Sequence, residues 1–282
     1  MTDNSDILIQ LALAEDIGDG DVTSLYFIPE ERRASAFVAV RQDGVVSGVE
    51  LAARVFRCVD PELHVEILIA DGSRVAAGAL IIRVEGSARS ILTAERTALN
   101  FLQRLSGVAS MTARYVNEVT GTGTRILDTR KTTPGYRLLE KQAVTHGGGT
   151  NHRIGLYDRA MVKDNHLAAE GGPEAIQSAI LKLKSEKPAV EVELEADNLD
   201  QVRVFLTMEG VDHILLDNMS VEELATAVEM RGLRSRPQFE ASGGVTLNRL
   251  QEIAKTGVDF ISVGALTHSA PSLDIGLDFE TL

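Results

Sequence analysis

The chain of 282 residues sets 28 Lys and Arg against 41 Asp and Glu, a formal charge of −13, with 44% apolar residues, 24 Gly and only 7 Pro. That is the composition of a folded globular protein; it excludes disordered and fibrous architectures and argues against a nucleic-acid or anionic-membrane partner. The longest apolar run, Val75 to Ile82, falls far short of the roughly 20 residues a membrane-spanning helix needs, the opening residues are too acidic for a secretory signal, and the single Cys58 fits a reducing, cytoplasmic setting.

In chain order, Leu8 to Glu15 reads as a short helix, followed by the loop Asp16 to Asp21. Strands are expected at Ala34–Arg41, Val65–Ala70 and Leu80–Val84, with Asp71-Gly72 and Ala77-Gly78 as the turns between them. Cys58 reads as a small buried apolar side chain. From Thr93 a long helix is expected, because Ala98, Leu99, Leu102, Leu105, Val108 and Met111 recur at three- and four-residue spacings, although Gly107 weakens its middle. These elements describe a small domain over residues 1–115.

After Gly123 strands and helices alternate. Strands are expected at Arg125–Asp128, Ala160–Lys163, Ala189–Leu194, His213–Leu216, Gln238–Ala241 and Phe260–Val263, and helices at Arg137–Val144, Pro173–Lys184, Leu199–Met208, Val221–Met230 and Leu247–Lys255. The alternation implies a parallel sheet with helical crossovers. A full eight-stranded barrel needs about 250 residues, so residues 116–269 hold either a shortened barrel or an open doubly wound sheet. Polar or glycine residues follow each strand at once, which favours a barrel with its site at the strands' C-terminal ends.

Three features of this segment carry chemistry. Between Arg125 and His166 lie eight Arg and Lys and four Asp and Glu, so this stretch carries +4 and the remainder −17. A basic island in an acidic chain suits a small, highly anionic ligand. Ser242-Gly243-Gly244 and Gly264 follow the last two strands, where a phosphate is commonly held by backbone N–H groups. In Glu191-Val-Glu-Leu-Glu195 the period of two puts all three carboxylates on one strand face. If that face points inward they need Lys, Arg or a metal ion beside them; the alternative is an exposed edge strand. His146 and His166 lack metal-ligand spacing and read as loop residues.

These residues resemble the quinolinate phosphoribosyltransferase family, also called nicotinate-nucleotide pyrophosphorylase (carboxylating). The resemblance rests on Ala14-Glu-Asp-Ile-Gly-Asp-Gly-Asp-Val-Thr-Ser24, Glu95-Arg-Thr-Ala-Leu-Asn100, Leu127-Asp-Thr-Arg-Lys-Thr-Thr-Pro-Gly135, Gly147-Gly-Gly-Thr-Asn-His-Arg153, Val162-Lys-Asp-Asn-His166, Leu216-Asp-Asn218, Glu240-Ala-Ser-Gly-Gly244 and Ser262-Val-Gly-Ala-Leu-Thr-His-Ser269.

The resemblance implies a small N-terminal α/β sandwich-like domain, with residues 270–282 packing back on it, and an open six-stranded α/β barrel of the type II phosphoribosyltransferase kind. It implies transfer of the phosphoribosyl group of phosphoribosyl pyrophosphate to quinolinate, with Mg²⁺, giving nicotinate mononucleotide, pyrophosphate and carbon dioxide. By motif, Arg130, His152, Arg153 and Lys163 clasp quinolinate, with Arg96 arriving from the second subunit of a homodimer. Lys131 lies between quinolinate and the pyrophosphate. Glu193 and Asp217 take the ribose hydroxyls and Mg²⁺, and Ser242, Gly243, Gly244 and Gly264 take the 5′-phosphate. Lys131, Lys163, Glu193 and Asp217 form the expected catalytic set. A barrel aldolase using Lys163 or Lys131 as a Schiff base, and a non-catalytic sensor of phosphoribosyl anions, are the competing readings.

Overall fold

A computed structural model describes residues 5–163 and 172–280, which divide into two compact units. The first comprises residues 1–113, 132–148 and 266–282. It contains helices α1 (Ser5–Ile17), α2 (Val22–Phe27) and α3 (Val49–Val59), the long α4 (Ala88–Glu118), which runs on into the second unit, and α5 (Arg137–His146). Strands β1 (Arg33–Val40), β3 (His64–Ile67), β5 (Leu80–Ser87) and β12 (Ile275–Phe279) form an antiparallel sheet in the order β12-β1-β5-β3, and β2 (Gly44–Val45) pairs with β4 (Arg74–Val75).

Two helices here go beyond the sequence reading. In α2, Asp21 caps the start by accepting from the Ser24 N–H at 3.0 Å. In α3, Val49, Leu51, Ala52, Ala53, Val55 and Phe56 are buried, so Arg57 and Cys58 fall on the outer side. Cys58 is therefore exposed, not the buried filler expected of it.

Helix α4 is continuous through Gly107, and the reason is close approach rather than flexibility. A Cβ at position 107 would lie 2.0 Å from the Pro271 carbonyl oxygen. The 270–275 segment runs along α4 there: the Arg104 guanidinium donates to the Ala270 carbonyl at 2.9 Å, the Leu273 N–H to Gln103 at 3.0 Å, and the Gln103 amide to Ile275 at 2.7 Å. It then continues as β12, hydrogen-bonded to β1.

Helix α5, which from sequence belonged to the barrel's alternation, groups with this first unit. Its Glu140 is fully buried against Arg104 of α4 at 2.7 Å and accepts from the Thr133 hydroxyl at 2.9 Å, while Tyr136 stacks on Phe101 with ring centroids 5.7 Å apart. His146, at its end, shares a 2.8 Å hydrogen bond with the Ser47 hydroxyl.

The second unit comprises residues 114–131 and 149–265. Strands β6 (Arg125–Leu127), β7 (Arg159–Val162), β8 (Glu191–Ala196), β9 (His213–Asp217), β10 (Gln238–Ser242) and β11 (Phe260–Ser262) form one parallel six-stranded sheet in the order β6-β11-β10-β9-β8-β7. That is the cyclic order of an α/β barrel, and it is open: among the described residues β6 and β7 form no ladder, and besides its ladder with β11, β6 has an isolated bridge from Leu127 to Thr150. Helices Pro173–Glu186, Leu199–Phe205, Val221–Arg231 and Leu250–Lys255 connect the strands. Their starts are locally encoded: Asn198 caps the second, and Ser220 with Glu223 forms a reciprocal capping box on the third. Val192, Leu194, Ile214, Leu216, Phe239, Ala241 and Ile261 are buried strand side chains. Among the described residues no helix is long and apolar enough to cross a membrane.

Gly107→Ala tests the α4 crossing. Helix propensity alone favours the change by about 1 kcal/mol, yet the clash with Pro271 predicts a net loss of about 1–3 kcal/mol, read as a thermal midpoint lowered by several degrees.

Candidate active site

The inward face of β8 organises the second unit. Glu191, Glu193 and Glu195 all point to the same side, as the period of two requires, and the exposed-edge alternative fails: Glu193 is 0% exposed and Glu195 7%. Each carboxylate meets different partners. Glu191, at the start of the strand, pairs with Arg159 at 2.7 Å and with His213 Nε2 at 3.1 Å. Despite its partial burial, these two neighbours hold the Glu191 pKa below the usual carboxylate range.

Glu193 is one pleat deeper than the rim. His152 Nε2 lies 3.1 Å from Glu193 Oε2 and 3.2 Å from Glu240 Oε2, and all three side chains are buried. Burial and the neighbouring Glu240 charge raise the Glu193 pKa, whereas His152 and the Ser262 hydroxyl hold Glu240 low in spite of its own burial. Burial works to depress the His152 pKa, but the two carboxylates outweigh it and raise it to about 9. Nδ1 accepts the Arg153 backbone N–H at 2.7 Å, so Nε2 is the nitrogen that faces the two acids, and the three side chains form a group able to hold a metal ion.

Glu195 stands at the rim, where it forms an ion pair with Lys163 just beyond the end of β7. Its carboxylate also lies within 4.8 Å of those of Asp197 and Asp217. The strand, expected to end at Leu194, runs to Ala196, and the carboxylate beside Asp217 is that of Glu195, whereas the family resemblance had named Glu193 with Asp217. The signal was present in Lys163, which closes the adjacent strand: Met161 is level with Glu193, so Lys163 must be level with Glu195.

On the cationic side, buried Asp128 follows β6 and accepts the His152 backbone N–H at 2.8 Å, tying the 150–153 segment to the strand end. The half-buried Arg153 donates to the Arg159 carbonyl and to Met161 Sδ, each at 3.3 Å. Burial and then the nearby Arg130 guanidinium lower the Arg153 pKa, opposed by Glu193 and Asp158. Two guanidinium groups close enough to repel form a receptor for an anion that neutralises both. Lys131 is exposed at the same strand end.

The phosphate-loop candidates follow β10 and β11. Asn218, with φ of 53°, donates its backbone N–H to the Ser242 carbonyl at 2.9 Å and its side-chain amide to Asp217 at 2.7 Å. A Cβ on Gly243 would come 2.1 Å from Asn218 Oδ1, and its φ is 94°, so only glycine fits. Gly244 faces open space and Gly264 is half-buried. The helix expected over Leu247–Lys255 opens as the single 3₁₀ turn Leu247–Arg249. Thus Arg130, Lys131, His152, Arg153, Lys163, Glu193, Asp217, Ser242, Gly243, Gly244 and Gly264 all belong to the second unit. Arg96 belongs to the first, exposed on α4. His166 lies outside the described residues. Glu240, Asp128 and Asp197 had no role in the sequence reading, since nothing local distinguishes an inward acid from a solvated one.

Comparison with known proteins shows the family. Residues 21–106 match the N-terminal domain and residues 108–278 the C-terminal domain of quinolinate phosphoribosyl transferase. The chain belongs to this family. It is 44% identical over 290 residues to a chloroplastic nicotinate-nucleotide pyrophosphorylase [carboxylating] of Oryza sativa subsp. japonica, covering 97% of this chain and 77% of that protein. It is 42% identical to a probable nicotinate-nucleotide pyrophosphorylase [carboxylating] of Synechocystis, covering 95% of this chain and 90% of that one. The solved nicotinate-nucleotide pyrophosphorylase of Francisella tularensis superposes with a TM-score of 0.92 at 40% identity, covering 98% of this chain and 96% of that one.

The Asp128 tie is testable without any ligand. Asp128→Ala strands the buried His152 N–H and is expected to cost about 1–3 kcal/mol in denaturant unfolding. Asp200→Ala, which removes an exposed pair with Arg203, is expected to change stability by less than about 1 kcal/mol.

Proposed function

We propose that this member of the family transfers the phosphoribosyl group of phosphoribosyl pyrophosphate to quinolinate with decarboxylation, a step of NAD biosynthesis. The products are nicotinate mononucleotide, pyrophosphate and carbon dioxide. The observation that carries the reading is the presence, within one unit, of the basic residues Arg130, Lys131, Arg153 and Lys163 and of a carboxylate rim at Glu195, Asp197 and Asp217. The first suits a dicarboxylate. The second suits a sugar diphosphate with its cation.

In this reading Arg130, Arg153 and Lys163 hold the two carboxylates of quinolinate and aim its ring nitrogen at C1′ of the ribose. The nitrogen lone pair forms the bond to C1′ as the bond to pyrophosphate breaks, and Lys131 offsets the charge that develops on the leaving group. The ring nitrogen is now cationic, so the C2 carboxylate leaves as carbon dioxide and the electron pair remaining on C2 takes a proton. Ser242, Gly243, Gly244 and Gly264 hold the 5′-phosphate. The rim's carboxylate oxygens suit Mg²⁺, a hard ion that prefers oxygen ligands; we assign it to Glu195 and Asp217, in place of Glu193. When bound, the ion neutralises part of the pyrophosphate charge. Exposed Arg96 is assigned to the partner's site in a homodimer. The exposed Cys58 thiol suits a reducing compartment such as the cytoplasm.

Release of labelled carbon dioxide that requires both substrates and Mg²⁺ is the direct test, and release from quinolinate alone would overturn the reading. Arg153→Ala is expected to weaken quinolinate binding roughly tenfold to a hundredfold, the worth of one charged hydrogen-bonding group, and to change phosphoribosyl pyrophosphate binding little; equal losses in two calorimetric titrations would count against the clasp. For the shared site, inactive Arg96→Ala and inactive Lys163→Ala proteins should regain activity when their subunits are mixed and exchanged. Continued inactivity of a verified mixed dimer would place Arg96 in its own subunit's chemistry.

A further inference from the structure

We infer that the Arg104–Glu140 pair positions two loops that take phosphoribosyl pyrophosphate: Glu140 anchors the loop carrying Lys131, and Arg104 anchors the segment that follows Gly264. The inference rests on the proposed reading of Lys131 and Gly264 as ligands of that substrate. Arg104 and Glu140 are positioning residues, acting through the main chain of these segments.

The chain passes from the second unit into the first twice, after Lys131 and after Ala265. Both times the residues that follow are taken by this one pair. Glu140 is fully buried; its Oε1 accepts the Thr133 hydroxyl at 2.9 Å and its Oε2 the Thr133 backbone N–H at 3.0 Å. Thr133 is two residues past Lys131. Its carbonyl accepts the Tyr136 N–H at 3.0 Å, and the Thr132 hydroxyl accepts from Arg137 Nε at 3.0 Å, so this loop is fixed to the start of α5. Arg104 donates to Glu140 Oε1 from Nε at 3.2 Å and from Nη2 at 2.7 Å. Its Nη1 donates to the Ala270 carbonyl at 2.9 Å, and Nη2 also meets the Thr267 carbonyl. Thr267 is fully buried in the short helix Ala265–His268, three residues past Gly264.

All three guanidinium nitrogens are thereby committed, and the planar fork fixes the angle between them, so the two segments are held at one node. The quinolinate ligands are anchored elsewhere: the 150–153 segment is tied to Asp128, and Lys163 pairs with Glu195. Of them only Arg130 shares the loop that ends on Glu140. Stability alone gives no reason for an acid at position 140, since a buried ion pair is commonly worth no more than apolar side chains of the same volume. Holding two loops in register does give a reason. Lys131 must meet the pyrophosphate and Gly264 the 5′-phosphate of a single molecule, and a misplacement of about 1 Å costs as much as about a hundredfold in rate.

Removing either charge outright strands its buried partner and endangers folding, so milder variants of the intact enzyme carry the test. Thr133→Val keeps nearly the same shape but loses the hydroxyl donor. It is expected to raise the KM for phosphoribosyl pyrophosphate about fivefold or more, the worth of one hydrogen bond to a charged group, and to leave the quinolinate KM within about twofold. Thr133→Ser, which keeps the hydroxyl, is expected to stay within about twofold of the original for both substrates. Arg104→Lys keeps a charge for Glu140 but lacks the fork that reaches both carbonyls, and the same split between the two KM values is expected of it. An unchanged KM for phosphoribosyl pyrophosphate in folded Thr133→Val, rises of equal size for both substrates, or a Ser variant as impaired as the Val variant would each overturn the proposal and leave the pair a structural brace. Should Arg104→Lys not fold, the Thr133 variants decide, since Glu140 reaches Lys131 through Thr133. Absence of quinolinate turnover by the unaltered protein would sink the functional reading itself, whereas turnover without the split would sink only this inference.

Discussion

Three carboxylates on one face of a strand inside a parallel barrel set the terms for the rest of the second unit. Glu193 and Glu195 are buried there and Glu191 is partly so, and each is met by charged or polar partners within the protein. Depth decides which. At the start of β8, Glu191 is matched by Arg159 and His213. In the middle, Glu193 lies against His152 and Glu240, where burial and the Glu240 charge push its pKa up. At the rim, Glu195 has Lys163 on one side and two further acids on the other. Charge neutralised by fixed partners at the bottom of the strand gives way to charge available to ligands at the top.

The basic island in an otherwise acidic chain follows from the same constraint. Arg159 and Lys163 answer the glutamates directly, whereas Arg130 lies near enough to Arg153 to lower the Arg153 pKa after burial. Not every basic residue of the island serves the barrel. Arg137 lies on α5 in the first unit, where the buried acid Glu140 is matched by Arg104 and a threonine.

The barrel strands were legible because buried parallel strands are short apolar runs, and all six fall where those runs occur. The convergence of Arg153, Lys163 and Asp217 was legible too, because strand ends in such a barrel share one rim. What sequence could not resolve was depth. A period-two pattern puts Glu193 and Glu195 on the same face and is silent on where the strand stops, and two residues decide which of them is buried and which reaches the rim. Contacts made across long sequence separations were equally hidden. Nothing near Glu140 announces Arg104, nothing near His152 announces Glu240, and the C-terminal strand has no partner until β1 is placed beside it.

That last pairing has a consequence for how the chain is made. The first unit is discontinuous: its sheet is completed by residues 275–279, and residues 270–275 lie along α4 where Gly107 admits them. Emerging from the ribosome, residues 1–113 present β1 with an open edge while the entire second unit is still being translated. At about 5–20 residues per second, that interval lasts on the order of ten to thirty seconds. The barrel can fold as it is synthesised. The domain that precedes it must wait, exposing an unpaired strand edge of the kind that chaperones recognise, until the end of the chain returns to close it.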